Sequence, residues 1–340
     1  MRPVLNPALR RFWRDFHTLQ FGLHPRHAVL LGRLTPAYRQ LLTRLDGGHD
    51  LAGALAAAAE LGIPPGDAAQ VLTELSRAGV VVDVDSSPGA LRDLDVPVRQ
   101  RLAPDAATLA LLRGVSAGAM FRRRQQAYVE VTGTGRLAVP LAALLQQAGV
   151  GAVTPRLLGR VGPTEPALGG FVPADRGKAR ATAAHYAQKR AAPEGRRPRR
   201  GQRADLLVHA SSRPLLTEAA RQLRLSGVPH LAVTVRETIA VVGPLVLPGR
   251  TACLACADRH RIDRDPRWPV IAVQAASLSS VDPCETALAA TTVGLAGLQA
   301  LAYLDGRGVS VLDAVLELDF ITAGVTRLPA PPHPACCCRT

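Results

Sequence analysis

The stretch Tyr128-Val-Glu-Val-Thr-Gly-Thr-Gly-Arg-Leu-Ala138 decides the fold of the larger part of this chain. Its first half is typical of a buried strand, and Gly133-Thr-Gly135 is typical of a tight turn. The residues that follow predict a helix over Val139–Ala148 and a second strand over Val150–Val153. A strand, a Gly-x-Gly-x-x-Ala turn, a helix and another strand make a βαβ unit, so the sequence predicts an α/β fold.

Further strands are predicted downstream at Asp205–Val208, His230–Val235 and Ile239–Val242. Helices are predicted near Ala179–Lys189 and Leu215–Ser226, between those strands. Because strands alternate with helices, we expect a mainly parallel sheet with helices on both faces over residues 127–340.

Residues 1–90 predict a separate, smaller α+β domain of winged-helix-like type. Its predicted strands are Thr18–Leu23, Ala28–Leu31 and Val80–Val84, and its predicted helices are a segment from Thr35 to about Leu45, then Leu51–Leu61 and Ala68–Ala78. Ser86-Ser-Pro-Gly89 is typical of a linker. A helical connector over 91–126, with its helix at Asp105–Gln126, leads to the α/β domain.

The composition limits the choice of partners. The 340 residues carry a net charge of +14, almost all of it from arginine, because only Lys178 and Lys189 are lysines. No basic run is interleaved with aromatic residues, so the charge fits a GC-rich genome better than a nucleic-acid partner. The sequence has no membrane-length apolar stretch and no export signal, so we expect a cytoplasmic protein with reduced thiols.

Five cysteines are grouped as a metal site would group them. Cys253-Leu-Ala-Cys256 has the spacing of a zinc knuckle, and the chain ends in Cys336-Cys337-Cys338. We expect Cys253, Cys256, Cys336 and Cys338 to bind one structural zinc ion, with His333 or Cys337 as alternative fourth ligands. A redox pair or a loose thiol cluster is the competing interpretation.

Three other residues allow two interpretations each. Cys284 could be a nucleophile at a helix start, although we expect a buried small side chain there. His260 could bind metal but is expected to support the site or to face solvent. Trp268, between prolines, could anchor an interface or pack in the core.

These motifs resemble the ThiF/MoeB/HesA superfamily of adenylating enzymes. Gly133 and Gly135 match its Gly-rich turn, and the cysteines match its zinc knuckles. Asp175-Arg-Gly-Lys-Ala-Arg180 matches its phosphate-binding segment, with Arg180 in the usual lysine place. The resemblance implies a Rossmann-like ThiF-type domain with zinc, in which Gly133, Gly135 and Arg180 would contact a nucleotide.

More narrowly, the chain resembles the ThiF-like partner proteins of azole- and azoline-forming peptide-modification systems. The segments 243–253 and 258–265 carry this likeness, and residues 1–90 fit the leader-binding domain of those proteins. The resemblance implies that the N-terminal domain binds a precursor leader peptide, that the zinc domain docks a cyclodehydratase, and that the chain can form a homodimer. Such a peptide would add as a strand beside Ala28–Leu31.

The chain departs from the superfamily where ATP and magnesium would bind. After the second strand it has Thr154-Pro-Arg156, which lacks a carboxylate for the ribose. His209 and Ser212 stand in the places of aspartates, one of which would bind magnesium. The sequence therefore predicts a scaffold that does not adenylate. The alternatives are an active ATP-dependent adenylyltransferase acting on a C-terminal carboxylate, and a winged-helix DNA-binding regulator.

Overall fold

The computed structural model describes residues 1–26, 28–84, 91, 93–112, 116–212, 217–277, 281–336 and 338. Within it the chain forms two compact units, Met1–Arg122 and Arg123–Thr340. The predicted linker Ser86–Gly89 and Cys337 lie outside the described residues. The finer division into 1–90, 91–126 and 127–340 stays a prediction.

The first unit holds two small antiparallel sheets and a set of helices. In chain order its elements are β1 (Pro3–Leu5), β2 (Arg11–Asp15), β3 (Thr18–Phe21), β4 (Val29–Leu31), α1 (Pro36–Arg44), α2 (Leu51–Glu60), α3 (Pro65–Arg77), β5 (Val81–Asp83), α4 (Val96–Leu109) and α5 (Ala117–Gln126), the last of which runs across the boundary of the unit. One sheet pairs β1 with β5, and the other has the order β2-β3-β4.

Most elements predicted in this region are present, with three differences. α3 begins at Pro65, before the predicted cap Asp67, because proline is well suited to a first helical turn. The connector contains two helices, α4 and α5, where one was predicted. Strands β1 and β2 were not predicted. β1 is only three residues long, and its partner β5 lies almost eighty residues further along the chain.

The first unit is packed around leucine-rich faces of its helices. Leu42 of α1 and Leu72 and Leu75 of α3 are buried against Leu19 and Phe21 of β3. A polar contact closes the base of the unit: the buried amide of Asn6 donates to the carbonyl of Gly79 at 3.1 Å and to that of Ala110 at 3.0 Å. Through Leu19 and Phe21, the β2-β3-β4 sheet packs against the apolar core formed by these helices.

The second unit contains the predicted βαβ unit and a longer alternation of elements. In chain order these are β6 (Tyr128–Gly133), α6 (Gly135–Gln147), β7 (Ala152–Pro155), a 3-10 turn (Pro173–Asp175), α7 (Arg180–Ala191), β8 (Leu206–Ser211), α8 (Thr217–Leu225), β9 (His230–Arg236), β10 (Ile239–Val246), α9 (Leu254–Arg264), α10 (Trp268–Ser277), α11 (Thr286–Asp305), β11 (Ala314–Asp319) and β12 (Val325–Pro329).

Seven strands of this unit form one sheet in the order β12-β11-β10-β9-β8-β6-β7. The strands from β7 to β9 are parallel, as predicted, and β10, β11 and β12 continue the sheet antiparallel. The α/β fold class is confirmed, and the sheet is mixed. The two last strands, β11 and β12, were not predicted, since they follow α11 directly one after the other, without a helix between them.

Helices cover both faces of the sheet. On one face, β6, β8 and β9 direct valines and alanines against α6, α7 and α11 to form the main apolar core. On the other face, α9 and α10 lie over β9, β10 and β11 and leave a cavity of about 1090 Å³ between them. Among the described residues α11 has the length and apolarity of a membrane span, but 61% of its most apolar window is buried in the protein.

A buried ion pair ties the end of α5 to the end of α11 within the second unit. The guanidinium of Arg124 donates to both carboxylate oxygens of Asp305, at 2.6 and 2.8 Å, and to the carbonyl of Ala148 at 3.2 Å. Both side chains are at most 4% exposed. Asp305 also accepts from Arg307 Nε at 3.0 Å, and these charge-assisted hydrogen bonds offset the desolvation cost of the buried charges.

Candidate functional site

Four of the cysteines converge at the start of α9. Cys253 precedes the helix and Cys256 lies in its first turn, where the Cys256 N–H donates to the Cys253 carbonyl at 3.0 Å. The tail brings Cys336 and Cys338 to the same place. The Sγ atoms are 3.8 Å apart for Cys253–Cys256, 3.7 Å for Cys253–Cys336 and 3.4 Å for Cys256–Cys338.

These distances fit one tetrahedral ion. Four thiolates about 2.3 Å from a zinc ion would have Sγ atoms roughly 3.8 Å apart. Cys253, Cys256 and Cys338 are buried and Cys336 is half-buried, so an ion held there would have no position left for substrate. The predicted grouping of the cysteines is therefore present, in a geometry that could bind zinc.

The titration of the cluster also favours a cation. Burial raises the pKa of the Cys253 thiol and of the Cys338 thiol. Burial acts in the same direction at Cys256, but hydrogen bonds led by that from the His333 backbone outweigh it and lower its pKa. A divalent ion would supply the positive charge that lets all four thiols ionise together.

His333, the predicted alternative ligand, has both ring nitrogens engaged outside the thiol cluster. Its Nε2 lies 2.8 Å from the carboxylate of Asp263, and its Nδ1 accepts from the Ala335 N–H at 3.1 Å. His260, on α9, packs its ring 4.8 Å from that of His333, centroid to centroid. These residues therefore lie beside the cysteines as neighbours of the cluster.

The Gly-rich turn after β6 requires both of its glycines. Gly133 has φ +127°, and a Cβ there would lie 1.7 Å from the Ala210 carbonyl oxygen. At Gly135 a Cβ would lie 2.7 Å from a carboxylate oxygen of Glu165 and 2.7 Å from the ring of Phe171. The start of α6, where a dinucleotide fold places phosphate, is thus covered by these two side chains.

Glu165 is held in that place by strong contacts. Its carboxylate accepts from Arg180 Nε at 3.0 Å and from the Gly162 N–H at 2.6 Å. The side chain of Glu165 is only 13% exposed. Arg180, the predicted phosphate contact, is therefore occupied by an internal carboxylate. The sequence offered no signal for this, since Glu165 belongs to a loop thirty residues after the turn.

A second ion pair lies at the end of β7, the position at which the family resemblance implies a carboxylate that binds the ribose of ATP. Arg156 donates two hydrogen bonds of 2.7 Å to Glu130 of β6, and the Tyr128 hydroxyl donates to Glu130 at 2.5 Å. The hydrogen bonds from Arg156 lower the pKa of the Glu130 carboxyl despite its partial burial. The acid nearest to this position is thus paired with Arg156.

His209 and Ser212 lie at the carboxyl end of β8. His209 Nδ1 is 3.0 Å from the Thr132 hydroxyl, and burial lowers its pKa to about 4, so the ring is neutral at pH 7. The Ser212 hydroxyl lies 3.4 Å from a carboxylate oxygen of Asp282, in the segment before α11. Asp282 was missed by sequence reasoning because seventy residues separate it from Ser212.

Cys284 and Trp268, the two other residues for which the sequence allows two interpretations, lie at opposite ends of the segment from the start of α10 to the start of α11. Cys284 is half-buried, and burial raises the pKa of its thiol, as expected for a packed side chain. Glu285 caps α11 by accepting from the backbone of Ala287 and Leu288. Trp268 begins α10 at the cavity, with the guanidinium carbons of Arg261 and Arg236 5.2 and 5.7 Å from its ring centroid.

In the first unit an apolar groove of about 210 Å³ lies beside β4. β4 is an edge strand and contributes Leu31 to the groove, whose walls are formed by α1 and α3. The lining residues of the two helices are Tyr38, Leu41, Leu42 and Leu45 of α1, and Val71, Leu72 and Leu75 of α3. The only charged residue among those lining the groove is Arg33. The strand and helix named in the sequence prediction for peptide binding therefore border one groove.

Comparison with known proteins shows the fold. No protein family model matches the sequence, and no curated protein matches it. Among solved structures, E. coli MccB with ATP has a TM-score of 0.73 at 13% identity and covers 100% of both chains. E. coli MccB with MccA-N7isoASN has a TM-score of 0.72 at 14% identity, covering 100% of this chain and 99% of that one.

The heterocyclase TruD is also similar, with a TM-score of 0.64 at 17% identity, over 99% of this chain and 42% of the TruD chain. At these identities the likeness concerns architecture. The chain has, over its whole length, the fold of MccB, and it matches a part of TruD.

Proposed function

We propose that this protein is a ThiF-like recognition and docking protein of a peptide-modification system, which binds a precursor leader peptide and does not adenylate it. The observation that carries the proposal is the apolar groove that lies between α1 and α3 at the end of the edge strand β4. Its partner enzyme would be of the cyclodehydratase type, and it would work in the cytoplasm. A homodimer is the assembly that the family resemblance suggests.

The groove suits an extended peptide. An edge strand offers backbone N–H and C=O groups to an added strand, and alternate side chains of that strand would point into the adjoining groove. Leu31, Val71 and Leu75 give the groove apolar walls, and Arg33 at its rim would favour an acidic residue. We therefore expect a leader segment with alternating apolar side chains and at least one carboxylate.

The DNA-binding alternative has less support. A helix that reads a groove of DNA is expected to be basic, since phosphate contacts supply most of the affinity. α3 carries Asp67 and Glu74 against Arg77. The acidic residues of this helix favour a peptide over a nucleic acid.

The proposed lack of adenylation rests on the glycine-rich turn. Glu165 and Phe171 cover Gly135, and Arg180 is held by Glu165. A carboxylate at the start of α6 would repel the phosphates that this position binds in nucleotide-binding relatives of the fold. Arg156 in addition donates two hydrogen bonds to Glu130 of β6, so this carboxylate is already paired and would have to give up Arg156 to accept from a ribose.

An active adenylyltransferase is the second candidate, and two observations favour it. MccB, which has the same fold, was solved with ATP. In this chain the Asp282 carboxylate, 3.4 Å from the Ser212 hydroxyl, brings an acidic group near the turn from another part of the sequence. If Glu165 moved aside, that carboxylate could bind magnesium.

The proposed role of the cysteines is structural. Zinc bound by Cys253, Cys256, Cys336 and Cys338 would join the tail to α9, and would have no open position for chemistry. The names of the similar structures support a biosynthetic role, since MccB is described as a microcin C7 biosynthetic enzyme in complex with N-formylated MccA, and TruD is a heterocyclase.

The peptide proposal is tested by fluorescence polarisation with a labelled acidic leader peptide that has alternating apolar side chains. Val71→Arg places a charge in the apolar wall of the groove and should weaken binding at least tenfold, about 1.4 kcal/mol. Thr73→Arg adds the same charge on the exposed side of α3 and should bind like the wild type.

An equal loss of peptide binding in both variants, or no binding by the wild type, would show that the groove is not the peptide-binding site. A gel shift with genomic DNA that is abolished by Val71→Arg would favour the regulator instead.

A further inference from the structure

A second group of metal-binding side chains lies one turn beyond the cysteines on α9. Cys256, His260 and Asp263 follow one another at four and three residues, so they share one face of the helix. The tail that brings Cys336 to Cys253 also brings His333 to this face. His260, Asp263 and His333 each offer one ligand atom, and the three atoms lie within 4.8 Å of one another.

The rings and the carboxylate are spaced as ligands of one ion would be. The imidazole centroids of His260 and His333 are 4.8 Å apart at an interplanar angle of 69°. Two imidazoles on one ion, with metal–nitrogen bonds near 2.1 Å, would have centroids about 5 Å apart. Adjacent nitrogen and oxygen ligands of a tetrahedral ion are about 3.3 Å apart, so the 2.8 Å between His333 Nε2 and the Asp263 oxygen would widen by about 0.5 Å when an ion enters.

His260 already has the tautomer of a metal ligand. Its Nε2 lies 3.1 Å from the Pro331 carbonyl oxygen, which can only accept, so the ring proton is on Nε2. Nδ1 then carries a lone pair, and the described residues provide it with no hydrogen-bond partner. A backbone carbonyl that fixes the second ring nitrogen is the usual support of a metal-binding histidine.

We propose that His260, Asp263 and His333 form a second site for a divalent transition-metal ion such as zinc, separate from the cysteine cluster. The ion takes the place of the proton between His333 Nε2 and Asp263. The proton that was on His333 Nε2 moves to His333 Nδ1. The exposed Ala335 N–H, which donates to Nδ1 in the structure, then donates to water instead. Two imidazoles and one carboxylate are ligands that such ions accept.

The site differs from the cysteine cluster in its access. His260 and Asp263 line the cavity of about 1090 Å³ between the sheet and α9, and Asp263 is exposed. With three protein ligands, the remaining coordination positions face this cavity and take water or a donor atom of another molecule. We therefore expect exchangeable metal here and tightly held metal at the cysteines.

The test is a calorimetric titration of zinc into the full-length protein that retains its cysteine-bound metal. Wild type is expected to take up one further equivalent of zinc. His260→Ala and Asp263→Asn should each weaken that uptake at least tenfold, while His185→Ala, which removes an exposed histidine of α7, should leave it unchanged.

Cobalt substitution separates the two sites, because only thiolate ligands give intense sulfur-to-metal charge-transfer absorption. That absorption should be the same in all four proteins, which also shows that the variants fold. The proposal is overturned if wild type takes up no further equivalent, or if His260→Ala and Asp263→Asn both bind it as tightly as wild type.

Discussion

The cysteine cluster and the glycine-rich turn lie in the same domain, and they differ in how their polar groups are satisfied. At the cluster, four thiols converge to within 3.4–3.8 Å along the measured pairs and meet mainly one another. At the turn, the groups that would meet a nucleotide are paired internally, Glu165 with Arg180 and Glu130 with Arg156.

This difference separates groups that are arranged as ligands of an ion from groups that are paired with charged side chains of the protein. Four thiols that converge on one point and contact mainly one another have the arrangement of ligands around an ion. Groups that already have charged partners would have to give them up before a ligand could bind. These observations support the proposal that the cluster binds zinc and that the protein's own side chains close the turn to a nucleotide.

Removing one thiol should have the largest effect. Cys256 is fully buried, so Cys256→Ser should lose the metal and release the tail, lowering the free energy of unfolding by ~4 kcal/mol or more. Urea denaturation and metal analysis measure both effects. The matched change Cys284→Ser, at a half-buried cysteine outside the cluster, should cost about 1 kcal/mol and leave the metal in place.

A similar loss in both variants, or a wild-type protein without zinc, would show that the cluster is only a packed group of thiols.

A smaller effect is expected from the neutral histidine near the turn. His209 has its pKa lowered to about 4 by burial, while the unfolded chain titrates near 6.5. The unfolded state therefore binds the proton first, and the protein loses stability as pH falls from 6.5 towards 4, by up to ~3 kcal/mol. His209→Gln should remove that part of the pH dependence.

Urea denaturation at pH 7 and at about pH 4.5 gives this difference, with His185→Gln as the exposed control. An NMR titration that places the His209 pKa near 6.5 would contradict the burial on which the comparison depends.

The smallest effect should come from the carboxylate over Gly135. Glu165→Ala removes two charge-assisted contacts and should cost about 1–2 kcal/mol in thermal or urea unfolding. Glu60→Ala, at an exposed ion pair of α2, should cost well under ~1 kcal/mol. Equal costs would mean that Glu165 is not held at the turn in solution.

Much of this fold could be predicted from local signals. The βαβ unit, the caps at Thr35 and Asp50, and most strands of the parallel half follow from turns and periodicity. The antiparallel part of the sheet could not be predicted, because the pairing between β10 and β11 joins segments on either side of α9, α10 and α11. Pairing over such distances leaves no periodic trace in the sequence.

The same limit applies to the sites. The spacing of Cys253 and Cys256 predicts a metal knuckle by itself, and the tail supplies the other thiols. The closure of the turn depends on Glu165, and the acid near Ser212 depends on Asp282, which are brought in by loops. Such contacts are decided by tertiary packing, so a sequence motif indicates where a nucleotide site would be and not whether it is open.

The central proposal is that this domain binds zinc at the cysteine cluster and does not bind a nucleotide at the glycine-rich turn. The most direct measurement is a calorimetric titration of the zinc-containing wild-type protein with Mg-ATP, followed by a pyrophosphate-exchange assay with the leader peptide present. We predict no binding up to millimolar Mg-ATP and no exchange. Micromolar binding together with exchange would contradict the claim and identify the protein as an adenylyltransferase.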